Sequence, residues 1–282
     1  MDAVTRRTYA DAVAHGTNTA MPAAQRLLWI SMMLLAAVAS ARAADLTMQQ
    51  ISVALAKASA SSPVDFSHRD LSYLDLSELD FKHADLTGAN LYGADLSRAN
   101  LSGVKLAGAN LDHTLIIAAN FAGADLTEVS LLDAVAFSTL EVSTAEAPNF
   151  AGATLAGAHV IARLSRANMS GANLAHVHMG TPRNRTIPPT RNALSGCNLA
   201  NASLVGADLG GIDLAFADLS GADLSHANLA RADLAHANLT GADLTDTDLS
   251  GADLDETILK KAKGLAEAKG IETARHRDTV IR

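Results

Sequence analysis

Histidine, aspartate and arginine are the residues here whose types and spacing could do chemistry. His159, His176 and His178 fall within a short span of chain. Neutral imidazole suits Cu, Zn and Ni, so the trio is a candidate metal site, although no carboxylate or thiolate stands at a matching spacing. From Leu194 to Glu256, eleven acids face a single base, Arg231. Asp213, Asp233 and Asp253 recur at one fixed interval, and Asp223 and Asp243 repeat it. Such a surface could imitate the regular charge of duplex DNA. The competing reading is that Asp before Leu serves turn geometry and solubility. Arg183, Arg185 and Arg191 lie in GTPRNRTIPPTRNA (180–193), which has three prolines and no acid. Proline cannot donate to a β ladder, so this stretch is expected to leave the body of the protein as an exposed, protein-binding loop.

Catalytic signatures are missing. There is no Gly-x-Ser-x-Gly, no His-Glu-x-x-His, no phosphate loop and no Cys-x-x-Cys. No catalytic residue is assigned, no cofactor is called for, and the chain is not expected to be an enzyme. Cys197 is the one cysteine, which excludes an intrachain disulfide. It replaces an alanine in a repeated pattern and should be a buried, inert small hydrophobe.

The stretch that must position these side chains runs from Leu194 to Leu259. Leucine returns every fifth residue, usually preceded by Asp or Asn and, before that, Ala. An α-helix advances about 500° in five residues, so such leucines would spiral around it and form no apolar face. In a flat strand an odd period puts successive leucines on opposite sides. All of them are buried only if the chain turns a corner once per quintet. Repeated corners wind it into a solenoid with rungs about 4.8 Å apart. The composition agrees: 49% of residues are hydrophobic but only 4% aromatic, as a narrow Leu/Ala interior requires.

From Phe66 to Leu259 the sequence resembles the pentapeptide-repeat family, whose motif is A(D/N)LXX. The resemblance implies an all-β, right-handed quadrilateral β-helix with four quintets per coil. It also implies that the central Leu or Phe and the small residue two before it point inward. Residues twenty apart should then stack. Asp213, Asp233 and Asp253 become one column, Asp223 lies below Asp243, and Asn228 separates Asp208 from Asp248. His159 and His178 fall on adjacent coils, with His176 nearby. Gyrase-protecting members of the family are understood as cytoplasmic DNA mimics, usually dimeric through the carboxyl-terminal cap.

Four segments follow. Residues 1–43 contain the apolar run Leu27 to Ala39 and then Ala41-Arg42-Ala43, a small-x-small cleavage signal. They are expected to be a signal peptide cleaved near Ala43, with a retained membrane anchor as the competing reading. Met21 is an alternative start. Residues 44–64 hold a capping helix over Asp45 to Ala60, read from the spacing of Met48, Ile51, Leu55 and Ala58. Residues 65–259 are the solenoid, about nine coils and about 43 Å long without the loop. Its frame slips by one residue near Ala134 to Ser138 and again near Ile161 to Arg163. Each slip is expected to be a short quintet or a bulge, with Leu140 and Ala145 as repeat centres. Arg69 breaks the pattern at an inward position. Residues 260–282 are expected to form a second capping helix, through Leu265, Ala268 and Ile271, and a basic tail.

The sequence therefore points to an exported, non-catalytic scaffold or protein-binding module in the periplasm or outside the cell. Its partner would be a protein, with no nucleic acid and no membrane once the signal is removed. The alternatives are a DNA-mimicking inhibitor of gyrase and metal binding at the histidines. The carboxyl-terminal cap is a candidate homodimer interface.

Overall fold

The computed structural model describes residues 45–138, 143–180 and 193–281. The signal-peptide reading (1–43), Leu140, Arg183, Arg185 and Arg191 lie outside them.

One quintet explains the shaft. The N–H of Leu224 donates to the carbonyl of Asp243 in the next coil, and the Asp243 N–H donates back to the carbonyl of Ala222. The chain then turns: Ala227 N–H donates to Leu224 C=O across a four-residue corner whose third residue, His226, has φ 60°. A positive φ at that place is the signature of a type II turn. Leu224 and Ala222 are buried and Asp223 is outside. The pattern recurs with parallel bridges such as Asp223↔Asp243 and Asp208↔Asn228, so four quintets close one coil. Among the described residues, longer strands occur in only two pairs. They are β1 (Val64–Asp65) paired with β2 (Ala84–Asp85), and β3 (Ser130–Leu132) paired with β4 (His159–Ile161). The fold is therefore of the β-helix type, held by single-residue bridges rather than by broad sheets. Each fully buried leucine adds about 1.5–3 kcal/mol to stability.

The outward residue that precedes each central leucine defines four faces. Face A runs from Asp70 to Lys269, face B from Asp75 to Arg275, face C from Asp80 to Ile281, and face D from Asp65 to Lys263.

At the amino end, α1 (Met48–Lys57) starts at a capping box in which Thr47 and Gln50 satisfy each other's backbone N–H. Ile51 is fully buried, and Met48 and Leu55 pack on the same core. Asp45 continues the rungs by donating its N–H to Asp70 C=O. Arg69 escapes its inward slot and is exposed.

The carboxyl end corrects the sequence expectation. Residues 260–281 do not form a capping helix. They make one more coil, bridged as Asp243↔Lys263, Asp248↔Lys269, Asp253↔Arg275 and Ile258↔Ile281. Only Ile271–Thr273 is helical, as a single 3-10 turn. The sides here are six residues long, and Ala262, Ala268, Ala274 and Val280 point inward at that spacing. Leu265, Ala268 and Ile271 mimic a helical stripe, but the open ladder edge below offers hydrogen bonds that a helix would forgo. Face A consequently has ten rungs rather than nine.

The first frame slip is also of another kind. Asn120 bridges Asn149 and Asp125 bridges Thr154, so that coil is longer than twenty residues by nine. Ala145 is exposed and is no repeat centre. A frame read modulo five cannot tell the loss of one residue from the gain of nine. The second slip is a short side: His159 bridges His178, and a four-residue side runs through Ile161 to Arg163. Arg163 then bridges Ala193, so the 180–193 stretch adds ten residues without breaking the ladder.

Candidate functional site

In the outward slots, Asp and Asn perform the same local task. Asp213 Oδ1 accepts the N–H of Ala215 at 3.0 Å, Asp233 that of Ala235 at 3.0 Å, and Asn238 that of Thr240 at 3.1 Å. Such a bond braces the corner whether or not the acceptor is charged. Thr245 adds its hydroxyl to Asp243, and these two bonds hold that carboxyl below its usual range.

The predicted columns form. Asp213, Asp233 and Asp253 occupy successive rungs of face B, and Asp223 and Asp243 do so on face D. The face B column ends in cations. Arg275 Nη2 lies 3.0 Å from Asp253, and His276 Nδ1 lies 2.6 Å from the other carboxylate oxygen. Partial burial disfavours the Asp253 carboxylate, but the His276 hydrogen bond and the positive charge of Arg275 outweigh it and lower its pKa. The same bond raises that of His276.

The histidine trio does not assemble. His159 and His178 stack on face A with ring centroids 4.7 Å apart and planes 32° apart. His176 sits at a corner, and its ring leans over Gly206 instead. Among the described residues no group of three or more His, Cys, Asp or Glu is placed to hold a metal ion. Cys197 is buried, donates to Leu164 C=O, and burial pushes its thiol up to about 12.

Two features escaped sequence reasoning. First, corner side chains lean toward the carboxyl end and meet the corner one coil on. His68 covers Gly88, His176 covers Gly206, and Asn201 covers Gly221. At several corners where the next is not glycine, the pair is complementary. Glu78 meets Arg98 at 3.5 Å, His226 meets Asp246 at 3.5 Å, and Phe216 stacks on His236, which meets Glu256 at 3.2 Å. Residues twenty apart carried this signal, had corners been compared as well as slots.

Second, faces B and C differ. Face C carries an asparagine ladder: Asn100, Asn120, Asn149 and Asn168 each donate a side-chain amide to the preceding rung at 2.9–3.2 Å. Face B carries Leu115 and Val135 on bridged rungs, and Val135 is 42% exposed. Among the described outward slots, the only other large apolar residues are Ile258 and Ile281 at the carboxyl end. The nine-residue insertion, the short side and the 180–193 stretch all fall at corners bounding face B.

Fold and surface together define a repeat protein of the β-helix type whose chemistry lies in its outward side chains. The chain belongs to the pentapeptide-repeat family. The sequence model of pentapeptide repeats matches in eight copies, over residues 64–98, 94–131, 194–229 and 222–260. HetL, a pentapeptide repeat protein involved in heterocyst differentiation regulation from the cyanobacterium Nostoc sp. strain PCC 7120, is 30% identical over 79% of this chain and 96% of its own, with a TM-score of 0.36. Rfr23, a pentapeptide repeat protein from the cyanobacterium Cyanothece 51142, is 23% identical over 53% of this chain and 89% of its own, with a TM-score of 0.27. Full-length QnrB1, a plasmid-mediated fluoroquinolone resistance protein, is 15% identical over 69% of this chain and 85% of its own, with a TM-score of 0.28. No curated protein sequence matches the chain. Among the described residues no helix is long and apolar enough to cross a membrane.

Proposed function

We propose that this protein is an exported, non-catalytic docking rod that binds a protein partner through its side faces and the segment bearing Arg183, Arg185 and Arg191. One observation carries the reading. Backbone polar groups of the shaft are spent on rungs and corners and the apolar side chains of each quintet on the core, so face-to-face differences are free for recognition. Export rests on the apolar run and cleavage signal before Ala44. The test is a pull-down from envelope extract with intact protein and with a version lacking Gly180 to Ala193. A partner retained only by the intact chain supports the reading. The same partners on both, or mature protein confined to the cytoplasm, would sink it.

A second reading is a DNA-mimicking gyrase inhibitor, favoured by the acidic column Asp213, Asp233 and Asp253 and by Asp223 over Asp243. A carboxylate per rung of about 4.8 Å is sparser than duplex charge, about one per 1.7 Å, and the corner-bracing bonds already account for the acids. Unchanged gyrase supercoiling at micromolar protein excludes it. The last coil, residues 260–281, is a candidate self-association surface, read by sedimentation velocity.

A further inference from the structure

The strongest unexplained feature of the shaft is the apolar patch on face B. Leu115 and Val135 fill its slots, and Ile117 begins the corner after it. The corner before it carries Tyr92, Asp112, Leu132 and Ile161 in successive coils, apolar but for Asp112, whose carboxylate accepts the Ser130 hydroxyl and the Leu132 N–H. The equivalent corner positions elsewhere on the shaft are mostly Ser, Ala or Thr, as in Ser102, Ala122, Ala151 and Ser170. From Tyr92 to Ile161 the patch spans three rung spacings, about 14 Å. Asp75 and Asp95 occupy the slots below it and Arg163 the slot above.

We propose that this patch is the docking site for an amphipathic helix of a partner protein, about ten to twelve residues long, whose basic residues face Asp75 and Asp95. The inference rests on the docking-rod reading and deepens it. Three arguments select this occupant. The side of a β-helix offers no free ladder edge: the N–H of Leu111 and Ile116 already donate to Ser130 and Val135, so an extended peptide cannot add as a strand. Recognition there must use side chains, and a helix of about ten residues presents an apolar stripe about 15 Å long. The acids below the patch, in a chain of net charge −8, complement a basic helix end. Beneath the patch the coils are bridged at Leu115↔Val135 and Leu132↔Ile161.

The test is a selection of random twelve-residue phage-displayed peptides on the full chain. Leu115→Asn/Val135→Asn serves as counter-target, and Val135→Asn as a milder variant should the double change impair folding. Expected winners carry apolar residues at i, i+3 or i+4, and i+7, with net positive charge. They should bind the intact protein at least tenfold tighter than either folded variant, as judged by unchanged circular dichroism. Winners without helical spacing, equal binding to the variants, or no enrichment overturn the proposal. So does a homodimer in sedimentation velocity that Val135→Asn abolishes, since a second copy then fills the face. If the selection fails while the pull-down still depends on Gly180 to Ala193, only this site is lost and the docking-rod reading stands.

Discussion

Face C and face B wind around the same core and share the same rungs, yet they are built for opposite ends. Face C keeps its asparagine ladder across the coil enlarged by nine residues and the coil shortened by one, with Asn149 bridging Asn120 and Asn168. Beneath that ladder, Phe121 and Phe150 stack with centroids 4.9 Å apart and planes 3° apart. Face B absorbs the irregularities at its corners and carries half-buried Leu115 and exposed Val135 where the other faces of the same coils are polar. The lesson is a division of labour within one repeat. Inward positions are fixed by packing. Outward positions can be spent on stiffness, as on face C, or released for contact, as on face B.

The largest effect should come from the core under face C. Phe150→Ala should destabilise the protein by about 3–5 kcal/mol, read as a lower urea midpoint. A loss below about 1 kcal/mol would mean that the ring stack does not hold the enlarged coil in place.

Next comes the ladder against the patch. Asn149→Ala removes amide bonds to two rungs and the bond from Ala151 N–H, and should lose about 1–3 kcal/mol. Val135→Asn on face B should change stability by no more than about 0.5 kcal/mol. Equal losses would erase the contrast between the faces.

Corner glycines sharpen the same point. A Cβ at Gly206 would lie 2.7 Å from the His176 ring, at φ 63°. Gly206→Ala should lose about 1 kcal/mol or more from the backbone alone, and His176→Ala should relieve only the part due to the clash. A double-mutant cycle with no coupling would show that corner side chains do not lean as described.

The smallest effect is a pH dependence at the last coil. His276 has a raised pKa, so its bond to Asp253 is fully present below the ordinary imidazole value of 6.5 and weakens as pH rises through the raised value. Asp253 has a lowered pKa, so its contribution is present above the ordinary 3.8 and is lost as pH falls through the lowered value. Hydrogen exchange over residues 262–281 should therefore be best protected, relative to the shaft, between those limits. The relative loss of protection from pH 6 to pH 8 should vanish in His276→Ala. A pH response unchanged in that variant would remove the histidine from the account.

Much of this was legible in the sequence because a period of five admits few solutions. The spacing of leucines at 194–259 demanded a solenoid, the family resemblance supplied four sides, and the acidic columns followed by counting. The spacing of Met48, Ile51 and Leu55 announced α1, and the capping box of Thr47 and Gln50 fixes where it starts. The carboxyl-terminal coil was misread because alanines six apart, at 262, 268 and 274, overlap a helical stripe. The histidine trio was misjudged because slots and corners point differently. His176 belongs to a corner and His178 to a slot, although two residues separate them.

What the sequence determined by itself was the interior: which side chains are buried, since apolar residues at a fixed interval share an environment only if the chain bends at that interval. What the tertiary structure decided was adjacency on the outside. Outward residues take no part in core packing, so neither an insertion of nine residues nor one of ten announces which rung it rejoins. Only hydrogen bonds between coils bring Leu115 to Val135 and Asn120 to Asn149, and those bonds form between residues that local sequence leaves unrelated.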